Sequence, residues 1–338
     1  MKATQYQGNK TFNVIDKEIS EPSKGEVRIK VAYVGVCGTD VHIYHGMMDK
    51  RVDFPATIGH EMSGTIDAIG EGVTEFKTGD KIVVRPLDDR LVKPSDKGNN
   101  HICEDLKFIG IDSEGAMQQY WNVPSFVLHK LKPETDLKLA ALIEPLSVAT
   151  HDVRRSGLVK GETAVVLGGG PIGMLVAMVA KEKGAQVIIS EVNPKRIEKA
   201  KALGFDAINP MEVDLVEYIK SKTDNRKADV VFEVAGVQPA LDIMCEVAGI
   251  RGRIVMVAIH GEKKPVDLFK FFWKELSLIG ARVYEKEDYE KSIELITANE
   301  LPFQEMITDV QPLTNIQQVF ENIDKNPSGM KVLMDCSL

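Results

Sequence analysis

The sequence predicts an α/β protein in two parts, a β-rich unit followed by a doubly wound parallel sheet. Three observations carry this. Short β-branched runs broken by Gly, Pro and Asp fill the first 149 residues. Apolar runs alternate with helical segments from about residue 160 to 285. A glycine-rich turn, "LGGGPIG", follows the first of those runs and opens a helix.

In the N-terminal part, "EVRIKVAYVGV" and "SGTIDAIGEGV" alternate and "GDKIVVRP" is a short apolar strand, the spacing of an all-β or barrel-like unit. One stretch stands out. "GVCGTDVH", Gly35 to His42, places a thiol, a hydroxyl, a carboxylate and an imidazole within six residues. It reads either as a buried strand entering a turn, since free cysteine is a small hydrophobe and Gly-Thr-Asp is turn chemistry, or as half of a metal site. A second stretch, "GHEMSGTIDAIGEGV", sets His60 and Glu61 just before an alternating strand. A third, "ALIEPLSVATH", puts Glu144 beside Pro145 where the periodicity changes. Singly, His60 reads as a core histidine and Glu144 as a helix-start carboxylate. Together with Cys37 they supply thiolate, imidazole and carboxylate, and three such ligands with one open position define a catalytic zinc site.

From residue 160 onward the runs "TAVVL", "QVIIS", "ADVVFEV", "RIVMVAI" and "LSLIGA" are separated by helical segments such as "PKRIEKAKALG", which predicts βαβ units and a parallel sheet. Gly168, Gly170 and Gly173 have G-x-G-x-x-G spacing in the required strand-turn-helix context. Gly168 serves the tight turn, Gly170 admits a pyrophosphate, and Gly173 lets the helix pack closely on the strand. Pro171 and Ile172 open the helix, where a missing N–H costs little and the remaining donors face an anion. Glu191, 18 residues beyond Gly173, ends the next strand, where a carboxylate accepts from ribose hydroxyls and repels a 2′-phosphate. That favours NAD over NADP; Arg196 reads as a phosphate ligand or as a partner stacked on adenine. After residue 289, "YEKSIELITANEL", "NIQQVFENIDKN" and "MKVLMDC" either extend this part or return to the first, and the pattern favours neither.

Composition narrows the function classes. The 338 residues carry a formal charge of -8 with scattered lysines, which argues against nucleic acid or an anionic membrane as the main partner. The four cysteines, at 37, 103, 245 and 336, form no disulfide framework and suit a reducing, cytoplasmic setting. No signal-peptide core precedes the first strand. The apolar stretch 164–180 has three glycines and a proline inside it, which suits strand-turn-helix better than a membrane span.

The ordered set "GVCGTDVH", "GHE" with its following glycines, "LIEPLSV" and "GGGPIGML" resembles the zinc-dependent medium-chain dehydrogenases over essentially the whole chain, most of all the polyol branch of sorbitol, butanediol and threonine dehydrogenases. The resemblance implies a GroES-like catalytic domain over 1–149, a Rossmann NAD-binding domain over 150–288, and a segment 289–338 returning to the catalytic domain. It implies reversible oxidation of a secondary alcohol of a polyol, sugar or diol to a ketone, with hydride passing to NAD. Cys37 and His60 match the family's two invariable zinc ligands. Glu61 and Glu144 match the two glutamates of the polyol branch, one binding the metal and the other binding it directly or through water. Asp40 matches the carboxylate that orients the imidazole, and Thr39 and His42 fall where the family keeps its proton relay. One thiolate and one carboxylate with a neutral His60 leave a divalent site formally uncharged, so the second glutamate is expected to stand back or exchange.

The chain departs from the family at its structural zinc lobe. Of the pattern C-x2-C-x2-C-x7-C only Cys103 survives, with Asp89, Val92 and Ser95 at the other positions. One thiolate cannot make a four-cysteine cage, so one catalytic zinc per chain and no structural zinc are expected. Tyr44, His45 and Arg282 are candidates for substrate contact, and Trp121 and Trp273 are expected to be packing residues. The family likeness suggests a homodimer or homotetramer, because an edge strand of the coenzyme sheet often pairs across subunits. Two other readings are a zinc-free quinone or enone reductase of the same superfamily, which lacks the Cys and His ligands, and a non-catalytic dinucleotide-binding regulator, which would have lost them.

Overall fold

The computed structural model describes residues 1–338, in two compact units: Met1–Glu144 with Glu285–Leu338, and Pro145–Tyr284. The outer unit is built on a seven-stranded sheet in the order Ile307–Pro312, Lys331–Asp335, Glu26–Gly35, Glu61–Ile69, Lys81–Val84 and Leu128–Lys130, with Tyr120–Pro124 also paired to Glu26–Gly35. Only the first pair is parallel. Alternation is visible in the strand Glu26–Gly35, where Val27, Ile29 and Val31 are buried and Lys30 is exposed. Each such apolar side chain contributes about 1.5–3 kcal/mol on full burial. The chain enters this sheet early and returns to it after residue 306, so the central strand has neighbours about 270 residues apart in sequence.

The inserted unit is a six-stranded, all-parallel sheet in the order Asp206–Ile208, Gln186–Ser190, Thr163–Leu167, Ala228–Glu233, Ala248–Met256 and Ser277–Gly280. Helices cover such a sheet on both faces, so its strands are apolar throughout; every residue of Thr163–Leu167 is buried. Val165, Ile188, Val231 and Ile254 from four neighbouring strands meet Leu241 and Met244 of the helix Gln238–Val247 in one core. Strand order reverses between Thr163–Leu167 and Ala228–Glu233. Open parallel sheets bind ligands beyond the carboxyl ends of the strands at such a switch.

One expectation is corrected here. Trp121 is buried, its Nε1 donating to the Glu114 carbonyl at 3.1 Å, but Trp273 is 70% exposed. It stacks on Phe269 along the helix Leu268–Lys274, beside exposed Leu268 and Phe272, and the next strand, Ser277–Gly280, is an edge strand of its sheet. No helix is long and apolar enough to cross a membrane.

Candidate active site

In the outer unit, the strand Glu26–Gly35 runs out into Cys37, which caps the helix Gly38–Tyr44. Asp40 fixes that turn by accepting the Cys37 backbone N–H at 2.8 Å. The sheet register pairs Gly35 with Glu61, so the HE pair begins beside the point where the cysteine leaves. Gly35 is required there, because a Cβ would fall on the Glu61 carboxylate. The result is a group of three donors, from Cys37, His60 and Glu61, with ligand atoms all within 4.8 Å of one another. His60 and Glu61 are buried, and Cys37 is half-buried.

Acidic groups crowd this corner. The His60 Nδ1 and Asp40 Oδ1 atoms are buried without hydrogen-bond partners and stand 3.7 Å apart. Burial disfavours a charged His60 ring, yet Asp40, Cys37 and Glu144 outweigh it and push its pKa up to about 10. Asp40 is itself raised, first by burial. Thiolate, imidazole and carboxylate form a good donor set for zinc, and Asp40 stands beside the imidazole where a carboxylate can orient a ligating ring. The residues fit the metal.

Lys331, at the start of the strand Lys331–Asp335, was not visible as a site residue in the sequence. Its Nζ lies 2.7 Å from each Glu61 carboxylate oxygen and 3.1 Å from the Val36 carbonyl, so all three ammonium donors are used. Burial would lower its pKa, but Glu61 and Cys37 hold it above the usual lysine range. The only sequence signal is a lysine at the head of a short apolar strand. Glu144, second residue of the helix Ile143–Arg155 and also buried, is outside the three-donor group, though its charge acts on both His60 and Lys331. Thr39 and His42 lie three residues apart on the helix Gly38–Tyr44, hence on one face, with Thr39 half-buried and His42 exposed.

Tyr44 and His45 are otherwise engaged. Tyr44 is buried among Phe12 and Phe320, its hydroxyl accepting from Gln317 at 3.3 Å. His45 Nε2 pairs with Asp324 at 2.7 Å. In the lobe lacking the cysteine pattern, Cys103 is buried with its thiol pKa raised by that burial. Asp89 forms a fork with Arg85 at 2.9 and 3.2 Å, and Lys93 bridges Glu104 and Asp105.

The inserted unit carries the dinucleotide features. Gly168 has φ +107°, a left-handed conformation that favours glycine. A Cβ on Gly173 would collide with the Gly168 carbonyl, so only glycine lets the helix start this close to the strand. Gly170 caps the 12-residue helix Pro171–Glu182 with no side chain on its N–H groups, which leaves them for a phosphate. Ile172 and Pro171 remain half-buried at that rim. Glu191 ends one strand away, accepting from the N–H groups of Gly169, Val192 and Asn193 at 2.7–2.8 Å, with Arg196 Nη1 at 3.7 Å. These residues fit a dinucleotide. Arg282 is exposed.

Comparison with known proteins agrees with this geometry. Residues 23–133 match the alcohol dehydrogenase GroES-like domain and residues 171–298 the zinc-binding dehydrogenase domain. The chain is 56% identical to the 2-dehydro-3-deoxy-L-galactonate 5-dehydrogenase of Pseudoalteromonas atlantica, over 100% of this chain and 99% of that protein. It is 34% identical to the (R,R)-butanediol dehydrogenase of Neisseria gonorrhoeae over the whole of both. The crystal structure of 2R,3R-butanediol dehydrogenase from Bacillus subtilis superposes with a TM-score of 0.90 at 30% identity, covering 99% of each chain. The chain belongs to the zinc-dependent medium-chain dehydrogenases, in the polyol branch: it is an alcohol/polyol dehydrogenase that interconverts secondary alcohols and ketones.

Proposed function

We propose that this dehydrogenase acts on the secondary hydroxyl of an acidic sugar derivative, with one zinc held by Cys37, His60 and Glu61 and with NAD preferred to NADP. The three-donor group carries the metal assignment. When bound, zinc supplies the Lewis acidity that makes an alcohol easier to deprotonate and NAD supplies the hydride acceptor. The protein's own residues do the rest. Asp40 faces the His60 imidazole and orients it. Lys331 draws Glu61 back toward its ammonium, which tempers the negative charge of the donor set. Thr39 accepts the proton of the substrate hydroxyl as it passes its own hydroxyl proton on toward His42, which is exposed on the same helix face and releases it to solvent. Glu144 stands back from the donors as a carboxylate that shapes the local field.

Support for an acid substrate comes from the relative at 56% identity, whose name specifies a sugar acid. Glu191 supports NAD, since a carboxylate beside the adenosine ribose repels a 2′-phosphate. The loss of three of four cysteines from the lobe supports a single zinc per chain. The exposed Phe272 and Trp273 beside the free edge Ser277–Gly280 support a homo-oligomer, which light scattering tests. The deciding experiment is a screen of sugar acids, polyols and diols that follows NADH absorbance, with zinc counted by mass spectrometry on the same sample. About one zinc per chain and highest kcat/KM on a sugar acid are expected. No metal, or turnover confined to neutral diols, refutes the proposal.

A further inference from the structure

The carboxyl end of the sheet in the inserted unit holds a hydrogen-bonded carboxylate–imidazole pair that the dinucleotide motif does not include. Glu233 ends the strand Ala228–Glu233 and is 0% exposed. Its Oε1 accepts from the Gly236 N–H at 2.8 Å, its Oε2 lies 3.0 Å from His260 Nε2, and its carbonyl accepts from Val257 and Ala258 at 3.0 Å each. The carboxylate therefore ties together the ends of two neighbouring strands, Ala228–Glu233 and Ala248–Met256. With Nε2 held by Glu233, the ring's other nitrogen, Nδ1, is buried and has no hydrogen-bond partner in the protein. A buried polar nitrogen without a partner is an exception that calls for one, an ordered water or a bound ligand.

Position identifies the visitor. Sheet order reverses between Thr163–Leu167 and Ala228–Glu233, and register sets Leu167 beside Glu233. Glu191 stands on one side of that switch and the Glu233–His260 pair on the other. The turn after Glu233 touches the glycine-rich turn, because a Cβ on Gly168 would lie 3.0 Å from the Ala235 nitrogen. A dinucleotide with adenosine at Glu191 and pyrophosphate at Gly170 must extend its second nucleoside across the ends of these two strands.

We propose that His260, braced by Glu233, is a binding residue for the nicotinamide nucleoside half of the coenzyme. A neutral imidazole that donates Nε2–H to a carboxylate keeps Nδ1 as an acceptor. It takes a hydrogen bond from a hydroxyl of the second ribose or from the carboxamide NH2. This rests on the NAD reading, which fails separately if the wild-type protein binds no NADH.

The test measures affinity on zinc-loaded protein for NADH, ADP-ribose and ADP, by calorimetry or NADH fluorescence, in wild type and His260→Ala. NADH binding is expected to weaken about tenfold, with ADP, which ends at the pyrophosphate, unchanged. Joint weakening of ADP-ribose assigns the contact to the ribose, and an unchanged ADP-ribose assigns it to the carboxamide. Equal loss for ADP and NADH makes the pair a structural brace and overturns the proposal, as does an NADH affinity within twofold of wild type. If His260→Ala does not fold, ¹⁵N-histidine spectra of the wild type decide. A Nδ1 resonance must move on adding NADH and stay still with ADP; any other response refutes the contact.

Discussion

Replacing Lys331 by methionine probes the charge balance of the metal corner. Methionine keeps most of the volume of the stem, so the packing change is small. What is lost is the partner of a buried carboxylate: Nζ is 2.7 Å from both Glu61 oxygens, and the lysine is 4% exposed. Removing one member of a buried ion pair costs about 3–5 kcal/mol, because the other is left desolvated and uncompensated. At roughly 2–4 °C per kcal/mol for a unit of this size, the zinc-free variant melts roughly 6–20 °C below zinc-free wild type. A divalent ion on Glu61 supplies the missing positive charge, so zinc is expected to recover more than half of the deficit. Scanning calorimetry on chelated and zinc-reloaded samples of both proteins reads this directly. A zinc-free variant within 2 °C of wild type, or a deficit that zinc leaves unchanged, refutes the charge balance described here.

Other perturbations separate the parts. Cys37→Ser is expected to lose zinc and to lower turnover by about a thousandfold, with the NADH dissociation constant unchanged within twofold; full zinc and full rate would remove Cys37 from the donor set. Glu191→Ser is expected to lower the NAD to NADP ratio of kcat/KM at least tenfold, measured with each coenzyme at saturating substrate. Asp112 tests pH dependence. Burial pushes its pKa up, but the Arg51 fork at 2.7 Å and the Phe108 N–H at 2.8 Å more than reverse this and hold it below the ordinary value. A depressed carboxylate stabilises above its unfolded pKa of about 4 and loses that contribution as pH falls through the folded value. Asp112→Asn is therefore less stable than wild type at pH 6, and its melting temperature falls less between pH 5 and 3.

The parallel sheet was legible because its strands are buried on both faces and read as apolar runs, and the glycine spacing could be placed on a strand and a helix without coordinates. Cys37, His60, Glu61 and Glu144 were legible as candidates from local stretches. What separates Glu144 from the other three is geometry: Gly35 and Glu61 are paired neighbours in the sheet, a register that no local pattern specifies. Lys331 was hidden for the same reason, since its strand pairs with one nearly 300 residues earlier, and a lysine at a strand end ordinarily points to solvent. Glu233 and His260 were hidden because each is unremarkable alone and they meet only through the parallel pairing of two strands. Tyr44 and His45 looked available because the helix Ile316–Lys325, which supplies Phe320 and Asp324, lies far away in sequence. Trp273 was misjudged by residue type, since its helix gives the aromatic face no cover within the chain.

Insertion of one unit within the other sets an order on biosynthesis. A ribosome completes Pro145–Tyr284 before it releases the strands Ile307–Pro312 and Lys331–Asp335. At roughly 5–20 residues per second, a few seconds separate the finished nucleotide fold from the arrival of the ammonium that Glu61 requires. During that interval the Glu61 carboxylate lacks the ammonium that pairs with it in the finished sheet.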